Sequence, residues 1–452
     1  MSKEYRPYFY ELALLDVTPY PINVIAPGCS VTDNGSGVSL TGELTDELLR
    51  ETLFNEQNGY MSHPGIVSGP YTLISYDAEV GTASFAANPY YKGNSEGEKP
   101  RISQVDVMTV TQESCVSLLA DGTLTLIHKA VDADVITEGI ALAGQPEYSV
   151  TNYTRSGLSM VSFCTEQPAV SDTTVRQAIA MCFDRNSFLT TYTGTYGLAV
   201  DGYYGIGQWL YQLASGILTP TDSEGNPLDE ATQEQWAQVN LNGLSVYAFN
   251  PSDAAALLER NGWQLNDEGV REKDGVALNL TLVCNSQEKL TEAFSLYLQQ
   301  PLAEAGIRLT ITPVAADELL ALYYRNTDRS CDMIFVGTNF AEVFDPSLTY
   351  STDVMLQGSA NTTGLKDEKL YNLAQAMRST EPGDLLTYTQ HWVAFQEYWT
   401  QVLPAIPVYS NVYFDIYSST LHGYSISQNT TWSRAILGAW LSDYTDAEAA
   451  AE

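Results

Sequence analysis

Between Gly197 and Tyr211, Gly197, Gly202, Gly205 and Gly207 interleave with Tyr203, Tyr204, Trp209 and Tyr211. Flexible backbone beside large flat rings can hold Tyr203, Tyr204 and Trp209 against a ligand. The same composition suits a tight turn whose aromatics join the core, and the residues alone leave both readings open. A second group gathers where two apolar runs end: Cys284-Asn285-Ser286 and Gly337-Thr338-Asn339-Phe340. Among them Asn285, Ser286, Thr338 and Asn339 are polar, uncharged groups of the kind that hold a solute by hydrogen bonds. Residues for bond-making chemistry are harder to find. The four histidines (His63, His128, His391 and His422) form no HExxH and no closely spaced pair, and neither a G-x-S-x-G elbow nor a phosphate-binding loop occurs. His422 reads as a satisfied surface or core histidine. Residues 222–230 carry Asp222, Glu224, Asn226, Asp229 and Glu230, but the central glycine and terminal glutamate of a calcium loop do not fall in place. A solvated acidic turn is the expectation there. A hydrolase built on two carboxylates stays open by counting alone, without positive support.

The elements that would position these groups are clearest after residue 250. Asn250-Pro251 is an N-cap and first-turn pair, Ala254, Leu257 and Leu258 make a buried face, and Gly262 stops the helix before Trp263. A hairpin through Gly269 and Gly275 leads to a strand at 278–282. A helix over 288–305, a strand over 307–312, a helix over 316–325 and a strand over 332–336 complete a β-α-β-α-β pattern. Strands in such units run parallel, and their sheets take ligands beyond the carboxyl ends of the strands. Asn285, Thr338 and Asn339 stand at two of those ends. Helix 383–401 then presents Trp392, Phe395 and Trp399. Earlier, Asp172 or Ser171 caps a helix with Val175, Ile179 and Cys182 on one face, where Arg176 is expected to pair with Asp172 as a structural ion pair. Before residue 166 the expectation is alternating strands with one helix near 112–120. A helix capped by Thr45 and an amphipathic run at Tyr8, Leu12 and Leu15 precede them.

Composition narrows the function. The 452 residues suggest about three domains as a soft prior. The net charge of −34, from 55 acids against 21 bases, excludes nucleic acid and anionic lipid as partners, because basic stripes are absent. No run approaches the roughly 18 apolar residues that a membrane-crossing helix needs. The six cysteines are scattered without any CxxC and are expected to be buried free thiols. No metal or cofactor is indicated.

Several motifs recur in one order. Gly69-Pro70-Tyr71 is followed by Asn88-Pro89-Tyr90-Tyr91-Lys92-Gly93 and Lys99-Pro100. Ser171-Asp172 leads into Val175-Arg176-Gln177-Ala178-Ile179 and then Asp184-Arg185. Leu257-Leu258 precedes Gly262-Trp263, and Leu403-Pro404-Ala405-Ile406-Pro407 closes the series. This wording resembles the solute-binding proteins of ABC transporters, family 5, the oligopeptide, dipeptide and nickel group. The resemblance covers residues 5–440 in segments. It implies an α/β, two-lobed periplasmic-binding-protein-like fold of the type II, peptide-binding class, and binding rather than catalysis.

On that resemblance, the first lobe is residues 1–165 plus 411–445, the second is 166–410, and 446–452 is a frayed tail. The expected protein is an extracytoplasmic, lipoprotein-type monomer that passes an oligopeptide to the membrane permease of an importer by cleft closure. In the family an acid just after the strand-glycine position pairs with the ligand's ammonium group. Here the usual Trp is Thr338 and the run to Asp345-Pro346 is one residue longer, which makes Glu342 the candidate and Asp345 a turn acid. The expected ligand-binding residues are thus Glu342, Thr338, Asn339, Phe340, Tyr203, Tyr204, Trp209 and Asn285. The altered acid loop, with abundant Tyr and Trp, leaves a neutral oligosaccharide as an alternative on the same fold. The chain opens without a charged-then-apolar leader or lipid-attachment cysteine, and only 68 residues precede the Gly-Pro-Tyr motif, so an incomplete first lobe is expected.

Overall fold

The regular pattern after residue 250 builds a mixed sheet with helices on both faces. The computed structural model describes residues 20–222, 224–353, 355 and 360–442. The amphipathic run at Tyr8 to Leu15 and the C-terminal tail lie outside them. The chain divides into two units. Unit one contains Val131–Ala133 and Asn152–Tyr413; unit two contains the described residues up to Ala130, then Asp134–Thr151 and the chain from Phe414. Unit one takes in the strand over 157–163 together with the parallel strands.

The sheet of unit one uses β1 (Gly157–Phe163), β2 (Asn279–Asn285), β3 (Arg308–Val314), β4 (Met333–Asn339) and β5 (Ala405–Ser418). Their spatial order is β3-β2-β4-β1-β5. β2 pairs parallel with both β3 and β4, while β1 pairs antiparallel with β4 and β5. Side chains alternate between two apolar cores. Val161, Phe163, Leu280, Leu282, Met333 and Phe335 point to one. Leu158, Met160, Val283, Ile334 and Val336 point to the other. A sheet covered on both faces needs continuous apolar runs rather than strict alternation, which is how these strands read.

Helices cover the two faces separately. On the first lie α1 (Thr173–Cys182), α2 (Pro251–Arg260) and α3 (Glu288–Phe294), the last continued by a π-helical stretch over Ser295–Gln299 and a turn over Gln300–Glu304. The widened stretch ends two residues before Pro301, whose ring and missing N–H an unbroken α-helix would not accept. On the second lie α4 (Ala316–Tyr323), α5 (Glu368–Arg378) and α6 (Leu385–Val402), with Tyr388, Trp392, Phe395 and Trp399 of α6 buried.

The recurrent motifs turn out to be tertiary fasteners. Asp172 caps α1 through the Thr174 N–H and also accepts from Trp263 Nε1 at 3.2 Å, so the Ser-Asp and Gly-Trp motifs meet. Arg176 is almost wholly buried, but it does not pair with Asp172. It donates to the carbonyls of Val170, Ser171, Val402 and Leu403 and to Thr173 Oγ1. The expected ion pair is replaced because the planar guanidinium reaches all of these carbonyls at once. Burial pulls its pKa down to about 10, against the pull of the Asp172 charge. Arg185 donates to the carbonyls of Val200 and Pro407 and pairs with Asp201 at 2.6 Å.

Unit two holds the hairpin Ser30–Asp33/Val38–Thr41, the helix Asp46–Thr52 capped by Thr45, and the antiparallel meander Tyr71–Asp77, Thr82–Ala87, Gln104–Met108. Asn88 Nδ2 donates to the carbonyls of Val67 and Gly69, which fastens the Asn-Pro turn onto the Gly-Pro-Tyr strand. The helix expected near 112–120 is present, and a second one, Ala133–Leu142, went unread although Val135, Ile136 and Gly139 form its buried stripe. The Phe414–Ser418 end of β5 pairs with Leu126–Ala130 around a bulge. There the fully buried Asp415 accepts from His128 Nδ1, the Lys129 N–H and Tyr424 Oη.

Two variants test this account. Arg176→Met should lower unfolding free energy in urea by roughly 3 kcal/mol or more, because four carbonyls lose their donor. Burial opposes the Asp172 charge, yet the Thr174 N–H, the Trp263 N–H and the Lys273 charge hold its carboxyl below the ordinary value. A depressed carboxyl contributes stability above its unfolded pKa and loses it as pH falls. Asp172→Asn should therefore lower the melting temperature near neutral pH, and the deficit should shrink in scans toward about pH 3.

Candidate ligand-binding site

The strand order sets where a ligand can enter unit one. The connection after β2 passes into α3 on one face of the sheet, while the chain after β4 carries Phe340 and Phe344 into the core of the other. Neighbouring parallel strands whose continuations part to opposite faces leave a crevice at their carboxyl ends. Asn285 and Thr338 are half-buried there, and Ser286, Gln287 and Asn339 are exposed. Beside them an open depression of about 490 Å³ is lined by Ser286, Gln287, Glu288, Thr291, Glu292 and Pro313.

One buried guanidinium organises the β4 end. Arg155, in the turn leading into β1, donates from Nε to Asn339 Oδ1 at 2.8 Å and from Nη2 to the Thr338 carbonyl at 3.0 Å. Its Nη1 reaches Ser159 Oγ at 3.2 Å and Asn411 Oδ1 at 3.1 Å. Thr338, Asn339 and the middle of β5 are thereby held by one planar group. The sequence reading passed over Arg155. Its signal was an arginine two residues before the wholly buried strand β1, where a charged side chain must find a full set of partners.

The glycine-aromatic loop packs backbone on backbone against the same turn. A Cβ on Gly205 would lie 2.3 Å from the Gly157 nitrogen, and one on Gly207 would lie 2.6 Å from the Thr154 carbonyl oxygen. Close approach, rather than flexibility, is what these glycines supply. Tyr203 is buried, stacked on Trp399 at 5.3 Å, and its backbone is clamped by both ends of the Gln396 amide. Tyr204 is buried and stacked on Tyr211 at 4.8 Å. Both rings are core residues, and the tight-turn reading describes them. Trp209 differs. It is half-buried, lies parallel to Tyr388 at 6.0 Å, and its Nε1 donates to the Glu342 carbonyl at 2.7 Å.

That hydrogen bond brings two sequence candidates together. Glu342 is exposed on the loop after β4, with its backbone fixed by Trp209. Phe340 packs edge-on against Tyr203 and Phe344 and anchors the loop from below. Asp345 accepts from the Ser347 N–H and is a turn acid. The histidines stand apart from this group: His391 Nδ1 lies 3.0 Å from Thr380 Oγ1, and His422 stacks on Trp440 in unit two. Among the described residues no cluster of three or more metal-ligating side chains occurs. What the crevice offers is hydrogen-bond donors and acceptors, the Glu342 carboxylate on the loop after β4, those of Glu288 and Glu292 in the depression, and one aromatic edge.

Arg155→Lys keeps the charge but loses the planar fork. It should cost roughly 2–3 kcal/mol in urea unfolding, because the Asn339, Asn411 and Thr338 acceptors cannot all be reached by one ammonium.

The family model for bacterial extracellular solute-binding proteins, family 5 Middle, matches residues 14–359. Among solved structures, the chain is similar to the oligopeptide-binding protein AppA from Bacillus subtilis in complex with a nonapeptide, at 17% identity and a TM-score of 0.68, over 91% of this chain and 78% of that one. It is similar to the periplasmic binding protein DppA from Helicobacter pylori in complex with the peptide STSA, at 14% identity and 0.66, over 91% and 74%. It is also similar to NikZ from Campylobacter jejuni in complex with Ni(L-His), at 15% identity and 0.64, over 92% and 80%. At these identities the structural likeness establishes the fold, the periplasmic-binding-protein-like α/β architecture that the motifs imply. No described helix is long and apolar enough to cross a membrane. Fold, motif order and family match agree, and the chain belongs to the bacterial extracellular solute-binding proteins of family 5.

Proposed function

We propose that this chain binds a peptide at the carboxyl ends of β2 and β4 and delivers it to the membrane permease of an ABC importer. Proteins of this family are binding proteins rather than enzymes, and they bind peptides or nickel for import. One observation carries the choice of a peptide: Glu342 is an exposed acid on a loop whose backbone is pinned by Trp209. A pinned loop presents its carboxylate with little ordering cost, as recognition of an ammonium group requires. Asn285, Thr338 and Asn339 supply groups that match a peptide backbone, and Trp209 supplies an apolar wall. Tyr203 and Tyr204 support this wall from the core and make no ligand contact in this reading. The polar depression beside Asn285 has room for a hydrated side chain.

The reading separates cleanly from its alternatives. Free peptides should bind, N-acetylated peptides should bind far less well, and neutral oligosaccharides should not bind. Glu342→Gln should weaken binding of free peptides by roughly 2–4 kcal/mol, because in this reading the ammonium is desolvated once the peptide is enclosed and then loses its counter-charge. Isothermal titration with matched free and acetylated peptides measures both effects. Equal affinity for the two forms removes Glu342 from the anchor role. Binding of an oligosaccharide with no response to peptides overturns the peptide assignment.

A further inference from the structure

Cys164 directly follows β1 and Cys331 lies two residues before β4. The Cys164 N–H donates to the Asp332 carbonyl at 2.8 Å, so the two cysteines sit on adjacent antiparallel segments although 167 positions separate them in sequence. Their sulfurs are 4.0 Å apart, and both side chains are buried in the same apolar core. The backbone on either side is already fixed. Glu166 and Arg329 form a 2.6 Å ion pair, and the Thr165 N–H donates to the Thr363 carbonyl. A disulfide needs the sulfurs at about 2 Å, so closure must bring the two side chains closer than the 4.0 Å seen here. Cys182 and Cys284, by contrast, lie in the core on the opposite face of the sheet.

We propose that Cys164 and Cys331 are a disulfide-forming pair, closed by exchange with a small-molecule or protein disulfide. The Cys331 thiolate attacks one sulfur of the incoming disulfide and displaces the first thiol. The Cys164 thiolate then attacks the Cys331 sulfur, forms the cross-link and displaces the second. Two S–H bonds of the protein become one S–S bond, and the two protons and two electrons leave in the two released thiols. Cys331 is the better first nucleophile. The Cys164 S–H and, against burial, the Arg329 cation hold its thiol below the ordinary range, whereas the hydrogen bond to Cys331 and burial push the Cys164 thiol up. An extracellular family is where such an exchange runs toward the disulfide. The cross-link would tie the ends of β1 and β4 opposite to those that face the ligand crevice.

The test uses the full chain equilibrated with oxidised glutathione, then denatured and titrated for thiols, beside a sample kept in dithiothreitol. The oxidised protein should have lost two of its six thiols, and non-reducing peptide mapping should find the peptides of Cys164 and Cys331 joined. Its melting temperature should exceed that of the reduced sample, and the difference should vanish in Cys164→Ala/Cys331→Ala. Six free thiols after oxidation, a glutathione adduct on Cys331 without the cross-link, or a cross-link between other cysteines would each overturn the proposal. None of these readouts involves a ligand, so they stand apart from the peptide reading.

Discussion

A sheet buried on both faces can meet a solute only where its strands end. The order β3-β2-β4-β1-β5 places helices against each face, and the two cores take the apolar side chains of β1, β2 and β4. The polar groups that remain are those past the last apolar residue: Asn285, Thr338 and Asn339. The chemistry of recognition is therefore set by a handful of positions whose backbone must be held rigidly, because no surrounding core holds their side chains.

Arg155 and the glycine-rich loop do that holding by different physics. Arg155 uses directed hydrogen bonds from one planar cation to three chain segments, at Ser159, at Thr338-Asn339 and at Asn411. Gly205 and Gly207 use close contact, bringing one backbone against another where no Cβ fits. Trp209 links the two devices to the acid loop through its indole N–H. The recurrent motifs do similar work elsewhere: Asp172 with Trp263, Arg185 with Pro407, Asn88 with Gly69. Each is a polar side chain that completes a buried or capping hydrogen bond between distant segments.

Much of the fold was legible because local signals were strong. Asn250-Pro251, Gly262 and Gly306 mark helix ends that any sequence of this kind must obey, and the apolar runs at 278–284 and 333–336 carry the buried sheet. Less was legible where the partner lies far away. Arg176 reads as a helical i, i−4 ion pair, yet the carbonyls of Val402 and Leu403 win it, and nothing near residue 176 announces them. Tyr203 and Tyr204 read as easily for a ligand as for a core, since aromatic rings serve both. What decides is Trp399 and Gln396, almost two hundred residues later. The strand ends themselves were found from pattern alone, but the arginine that orders them was not, because a buried cation shows no local periodicity.

The place of β1 in the sheet has a bearing on how the molecule comes to exist in time. Its two neighbours, β4 and β5, are translated long after it, so an emerging chain holds β1 with both edges unpaired until residues 333–339 and then 405–413 have left the ribosome. The chain must close loops of well over a hundred residues before its central antiparallel strand gains either ladder, which makes collapse of this unit slow and late. The topology that leaves only strand ends for the solute thus delays both ladders of its central antiparallel strand until most of the chain has been made.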